Sequence, residues 1–235
     1  MTERISDPTA ARTALAGLRP QPYGVGHPGR VLDPIIEPMW SGIRALASID
    51  GPDVVLVDEI GEEITGHEPV AAALAEAATD RLVVDGFLTK LPDRDGSGVY
   101  VALDDLPTSA QLASRPLIGI RRTRAHDVTS AMEASRAARA FTPDDVVTFV
   151  AIDLLWLDGE SLLDVPLLER RRVLDSVVVE SDLVRRGIFV RPPIDAWIGS
   201  WRSLGFTDLS FRAANSRYQP GTANNEWVSI PIPRR

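Results

Sequence analysis

The chain has no cysteine and a single lysine, Lys90, among its 235 residues. Without cysteine there are no disulfides, no thiolate metal ligands and no thiol nucleophile. Every other basic residue is arginine, so a reaction that needs an amine side chain must use Lys90. His27, His67 and His126 are scattered without ligand spacing, and no metal site is expected. No apolar run reaches membrane-spanning length, and the N-terminus, MTERISDPTAARTALAG, lacks the apolar stretch of a signal peptide. These absences lead to the expectation of a cytoplasmic protein without a membrane partner. An excess of positive charge is missing as well: the formal net charge is −8. Affinity for nucleic acid comes largely from phosphate neutralisation. The acidic balance therefore leaves DNA ends, at most, as a weak partner.

What is present is a strand-rich pattern. Residues 1–30 are rich in proline and glycine (LRPQPYGVGHPGR) and read as an arm. Residues 31–235 read as one domain. RALASID, Gly51-Pro52 and DVVLVDE suggest a hairpin of alternating strands. HEPVAAALAEAA suggests a helix with Pro69 in its first turn. DRLVVDGFLTKL reads as a buried strand that pairs with GVYVALDDL across PDRDGSG, and DVTSAMEASRAARAF reads as a second helix. DDVVTFVAIDLLWLDG is a long apolar strand. Asp164 is expected to cap a helix over PLLERRRVLDSVV, with Leu167, Leu174 and Val178 on one face. GIFVRPPI reads as a strand, and DAWIGSWRSLG as a helix with Trp197, Ile198 and Trp201 on one stripe and Gly205 as its stop. The remainder reads strand, loop, strand. Helices interrupt the strands irregularly, which predicts an α+β class with antiparallel sheets.

Four phrases follow one another in a fixed order: EPMWSGIRA, VVDGFL, FVAIDLLWLDGESLLDVPLLERRRVL and GFTDLSFRAANSRYQPGTANNEWVSI. Together, from about Ile35 to Ile232, they resemble the adenylation (nucleotidyltransferase) domain of ATP-dependent DNA ligases, above all the bacterial end-joining type. The resemblance implies two packed antiparallel β-sheets with flanking helices and a groove between them, an ATP-grasp-like nucleotidyltransferase fold. In that family a lysine in K-x-D-G-x-R attacks the α-phosphate of ATP and becomes AMP-lysine. The AMP then passes to a DNA 5′-phosphate, and a 3′-hydroxyl displaces it. This chemistry needs an amine, metal-binding carboxylates and cations that neutralise phosphate.

Carried over residue by residue, the pattern keeps its spacing and changes its chemistry. Met39 stands at the nucleophile position, and a thioether cannot form a stable phosphoramidate. Ser41 replaces an aspartate, Glu59 an arginine and Phe87 a glutamate. Thr207 and Asp208 replace a Glu-Gly pair, Arg212 replaces a lysine, and Ser229 and Pro231 replace the two lysines of K-x-K. Ile152 stands where an aromatic ring stacks on adenine. The retained residues are Gly42, Arg44, Gly61, Asp85, Gly86, Asp158, Gly159, Pro166, Arg170, Arg171, Tyr218, Gly221 and Trp227. A remnant nucleotide pocket would consist of Glu37, Gly42, Arg44, Asp85, Ile152 and Arg212. Lys90 is expected on the opposite strand face from Asp85, Phe87 and Thr89, and so is a poor substitute nucleophile.

Each of these residues also has a plainer reading. Arg44 can hold a phosphate, or it can neutralise Glu59 or Asp85. Met39 and Phe87 can fill a former pocket, or simply pack a core. Arg121, Arg122 and Arg124 form a basic cluster that reads as a solvated loop. The family's C-terminal OB-fold has no counterpart in residues 1–235, which gives a second reason to expect no ligation. The expectation is a ligase-like protein without catalysis, a binding or scaffold module for an unidentified protein partner, with no cofactor. The alternatives are a ligase completed by a partner, which would need ATP and magnesium, and a non-reacting sensor of nucleotides or nucleic-acid ends.

Overall fold

The structure is a computed structural model and describes residues 10–90 and 146–232. The chain runs α1 (Ala10–Leu15), β1 (Tyr23–Gly24), a 3₁₀ turn (Pro28–Arg30), β2 (Pro34–Pro38), β3 (Ile43–Asp50), β4 (Asp53–Val57), α2 (Glu68–Ala77) and β5 (Leu82–Lys90). It resumes with β6 (Val147–Leu157), β7 (Glu160–Ser161), α3 (Leu167–Val177), β8 (Val184–Arg186), α4 (Asp195–Ser203), β9 (Asp208–Ala213) and β10 (Asn224–Pro231). One sheet has four strands in the order β1-β10-β9-β2; the other has six, with β4-β3-β5-β6-β7 in line and β8 beside β6. Apart from the parallel pairs β1–β10 and β6–β8, neighbouring strands are antiparallel. This is the predicted α+β class.

The central strands of the larger sheet are apolar on both faces, because both are covered. From β3 and β5, Ala45, Ala47, Ile49, Leu82, Val84 and Leu88 pack with Val70, Leu74 and Leu174 of α2 and α3. Their neighbours Leu46 and Val83 face the other way, against Ala11 and Leu15 of α1 and Ile35, Tyr218 and Trp227 of the smaller sheet's side. The two-residue period of a strand is intact; only the polar-outward half is gone. Hence the expected hairpin of β3 and β4 forms, but β3 is buried along most of its length rather than alternating.

Two glycines are fixed by backbone approach. A Cβ on Gly42, which sits at φ +130°, would lie 2.0 Å from the Leu88 carbonyl oxygen. One on Gly86 would lie 2.5 Å from both the Phe149 ring and the Val150 carbonyl oxygen. Each lets neighbouring backbone close over the sheet.

Several local expectations change. Within residues 10–30, read as an arm, α1 buries Ala11 and Leu15 in the intersheet core and β1 adds an edge strand. Asp164 does not cap α3: Pro166 occupies the N-cap without a side-chain bond, and its carbonyl accepts the first helical hydrogen bond from the Arg170 N–H at 3.1 Å. GIFVRPPI forms no continuous strand; Val190 alone bridges to Ile36, since the prolines at 192 and 193 donate no ladder hydrogen bonds. The strand expected over GVYVALDDL, the helix over DVTSAMEASRAARAF, the PDRDGSG turn, the Arg121–Arg122–Arg124 cluster and His126 lie outside the described residues. Among the described residues, no helix is long and apolar enough to cross a membrane.

Candidate functional site

The strands carry a belt of charge into the space between the sheets. Irregular pairing of β5 with β6 sets Asp85 directly opposite Asp153, both fully buried. Two like charges at opposed positions are unfavourable, so each needs a cation. Arg44, from β3, takes Asp85 with two parallel hydrogen bonds: Nε donates to Oδ1 at 2.6 Å and Nη2 to Oδ2 at 2.6 Å. The Tyr218 hydroxyl donates to the same carboxylate at 2.8 Å and accepts from the Gln21 backbone N–H at 2.9 Å. Arg170, from α3, takes Asp153 in the same forked manner at 2.8 Å and 2.8 Å, and also donates to the Val165 and Ser216 carbonyls.

Arg212, on β9, joins the two sheets. It grips Glu37 of β2 through Nε at 2.7 Å and Nη2 at 2.8 Å, and reaches across to Asp153 at 3.3 Å and the Ile152 carbonyl at 3.0 Å. Arg171 donates to the Ile152 carbonyl at 2.6 Å and to the Gly187 carbonyl, but its ion pair with Glu37 is long, at 3.6 Å. Four buried arginines thus face three buried carboxylates. Aromatic rings cover the cations: the Arg44 guanidinium lies 4.7 Å from the Phe87 centroid, and that of Arg212 lies 4.7 Å from Trp227.

Protonation follows from this packing. Burial, the largest influence, pushes the Asp153 carboxyl up, but Arg170 and then Arg212 and Arg171 pull it below its ordinary value. Burial works against the Arg44 cation, yet Asp85 raises its pKa well above normal. Burial and then Asp85 raise the Tyr218 pKa well above that of an ordinary phenol. Burial lowers the pKa of Arg171; Glu37 opposes this, and the adjacent Arg212 cation adds to it.

The residues singled out from the sequence divide into two groups. Glu37, Arg44, Asp85, Phe87, Ile152 and Arg212 converge, and Gly42 shapes the turn into β3. Of the two pairings open to Arg44, the structure has Asp85; Glu59 is exposed. Ser41, Thr207, Ser229 and Pro231 are also exposed. Met39 is half-buried, with its backbone N–H bonded to the Asp208 carbonyl at 3.0 Å. The ring packed with Phe87, Val150 and Ile152 is that of Trp40, one residue on from Met39. The aromatic partner of Phe87 in this cluster is therefore Trp40.

Beyond Trp40 lies a cavity of about 490 Å³, between β5 and β6 on one side and α4 with residues 186–189 on the other. Met39, Arg44, Phe87 and Ile152 do not line it; Thr89, Thr148, Val150 and Arg171 do. Sequence reasoning missed Asp153 and Trp40 and treated Arg171 as structural support. A signal for the arginines was available: Leu167, Arg170, Arg171 and Leu174 follow the i, i+3, i+4, i+7 spacing of a buried helix stripe.

No protein-family model matches the chain. It is 28% identical over 192 residues to the multifunctional non-homologous end joining DNA repair protein LigD of Mycobacterium tuberculosis, covering 82% of this chain and 21% of that protein. It is 30% identical over 177 residues to a DNA ligase of Methanoculleus marisnigri, covering 72% of this chain and 26% of the ligase. Among solved structures, mycobacterial DNA ligase D complexed with ATP and MES superposes with a TM-score of 0.62 at 26% identity, over 90% of this chain and 59% of that one. The ligase domain of M. tuberculosis LigD superposes with a TM-score of 0.60 at 23% identity, over 91% and 59%. The chain is homologous to LigD ligase domains and to DNA ligases, and its two sheets have the fold of the DNA ligase adenylation domain. It spans about a fifth of the length of the mycobacterial LigD proteins it matches.

Proposed function

We propose that this homologue of LigD ligase domains forms no AMP-lysine and serves as a non-catalytic binding module, in the setting of DNA-end repair that its LigD relatives' names describe. The observation that carries this reading is the closed state of the belt. Glu37, Asp85 and Asp153 each accept a forked pair of hydrogen bonds from an arginine, Arg212, Arg44 and Arg170. Carboxylates so engaged offer poor ligands to magnesium, which requires near-octahedral oxygen coordination. Met39 supplies no nucleophilic amine. Phe87 and Ile152 pack with Val150 and Trp40 where a nucleotide would need room. The residues at these positions fit neither magnesium nor a reacting triphosphate. Lys90, at the end of β5, lines the adjoining cavity.

Incubation with α-labelled ATP and magnesium, followed by denaturing gel analysis, tests the reading. No protein-bound label is expected. A covalent label that disappears in Lys90→Ala would overturn it and establish an adenylating enzyme with a displaced lysine. The same measurement with DNA and candidate repair proteins added covers a ligase that a partner completes. Calorimetric titration with ATP separates a non-reacting nucleotide sensor, which would give heat that is lost in Arg44→Ala.

A further inference from the structure

The cavity beyond Trp40 differs from the belt in a way that points to a ligand. Its walls are aromatic: Trp40 meets Phe206 edge to face at 5.1 Å between centroids, and Trp197 lies 5.7 Å from Trp201. Three of the chain's five tryptophans line it. Its lining also includes buried polar side chains. Thr148 and Arg171, each 1% exposed, both line the cavity. The Thr148 hydroxyl and the Arg171 Nε have no hydrogen-bond partner among the described residues, and neither has the Trp40 Nε1. Buried donors of this kind are costly when left unpaired.

Charge makes the preference for an anion specific. Both Glu37 oxygens are taken by Arg212, which leaves Arg171 with a 3.6 Å pairing and two carbonyls. The acids that also line the cavity, Asp175 and Glu180, are held by Arg186. Among the described residues the interior has four buried arginines and three buried carboxylates, and the arginine without a forked partner, Arg171, is part of the lining of this space. A cavity of about 490 Å³ lies in the range that holds one- and two-ring molecules.

We propose that this cavity binds a small aromatic carboxylic acid, with its ring between Trp40, Trp197 and Trp201 and its carboxylate directed to the donors of Arg171 and Thr148. The ligand's charge balances the surplus cation, and its ring replaces water against the indoles. This inference is independent of whether the protein adenylates.

The test uses 2-naphthoate as the probe and tryptophan fluorescence as the readout, confirmed by calorimetry. Saturable binding at sub-millimolar concentration is expected. The neutral analogue 2-naphthalenemethanol should bind at least about tenfold more weakly, because it carries no charge for the arginine. Thr148→Val, which keeps shape and removes the donor, should weaken naphthoate by about three- to tenfold without lowering the unfolding midpoint. Trp197→Ala should abolish most of the fluorescence change. These variants avoid Arg171, whose loss would disturb folding. Absence of binding up to millimolar naphthoate, equal binding of acid and alcohol, or native affinity in Thr148→Val would overturn the proposal. So would displacement of naphthoate by ATP, which would assign the cavity to a nucleotide.

Discussion

The belt and the cavity are neighbours on the same two strands, and they are finished in opposite ways. Ile152 and Asp153 bring the belt to β6; Thr148 and Val150, a few residues earlier, open onto the cavity. In the belt, three carboxylates and three of the four arginines pair in fork geometry, and tyrosine and backbone groups take the remaining bonds. At the cavity, the Thr148 hydroxyl, the Arg171 Nε and the Trp40 Nε1 are buried without a partner among the described residues. The same sheet can therefore close one polar region with its own side chains and leave another for a molecule from outside. The difference lies in whether complementary charge arrives from a facing element. Arg44, Arg170 and Arg212 come to the belt from β3, α3 and β9, whereas α4 brings mainly indole rings to the cavity.

Substitutions in the two regions can break or sharpen this contrast. The largest effect is expected at Arg212, which joins the sheets. Arg212→Met strands Glu37 and part of Asp153, and should cost about 3–5 kcal/mol, as breaking one side of a buried pair does. Urea unfolding would measure it, and a loss below about 1 kcal/mol would mean that the belt does not hold the sheets together.

Next comes the pair beneath Phe87. Asp85→Leu alone should be strongly destabilising, because Arg44 stays charged and buried. The double change Arg44→Met with Asp85→Leu should recover at least about half of that loss, since apolar replacement of a whole buried pair is often neutral. Failure to recover would show that Tyr218, or the geometry of the bulge, depends on the charges themselves.

A smaller effect follows from acid. The Asp153 pKa is lower in the folded protein than its ordinary 3.8. Its contribution is therefore complete above that value and is lost as pH falls through the folded pKa. Each unit of depression corresponds to about 1.4 kcal/mol. The urea midpoint should show no Asp153-linked change between neutral pH and about pH 5, and should then fall below about pH 4. If the contribution of Asp153 instead disappeared well above pH 4, its carboxylate would not be stabilised by the arginines.

The smallest effect is expected in the cavity. Thr148→Val should change stability by less than about 1 kcal/mol, with stabilisation the expected sign, because it removes an unpaired buried hydroxyl. A polar-to-apolar change is thus predicted to be damaging in one region and harmless in the other. Comparable losses at both would erase the distinction.

Much of the architecture was readable from residue order. The long apolar runs that became β5 and β6, the α2 segment after His67 and the Trp197–Ile198–Trp201 stripe of α4 all follow from periodicity. The convergence of Glu37, Arg44, Asp85, Ile152 and Arg212 was readable only through the resemblance, because these residues lie on five different strands. The pairing inside that group was not readable. Arg44 had two acids within plausible reach, and the register of β3 on β5 decides between them. Asp153 was hidden inside an apolar run, where a single acid carries no pattern. Trp40 carries no pattern of its own beside Met39, and only the folded chain brings it against Phe87, Val150 and Ile152.

The single lysine has a practical consequence. Lys90 ends β5, is exposed, and lines the aromatic cavity. Amine-reactive dyes normally scatter over a protein surface; here only this side chain and the terminal α-amine can accept one. Blocking the α-amine would leave a reporter fixed at the cavity's edge. The native sequence already contains the attachment point that a spectroscopist would otherwise have to engineer.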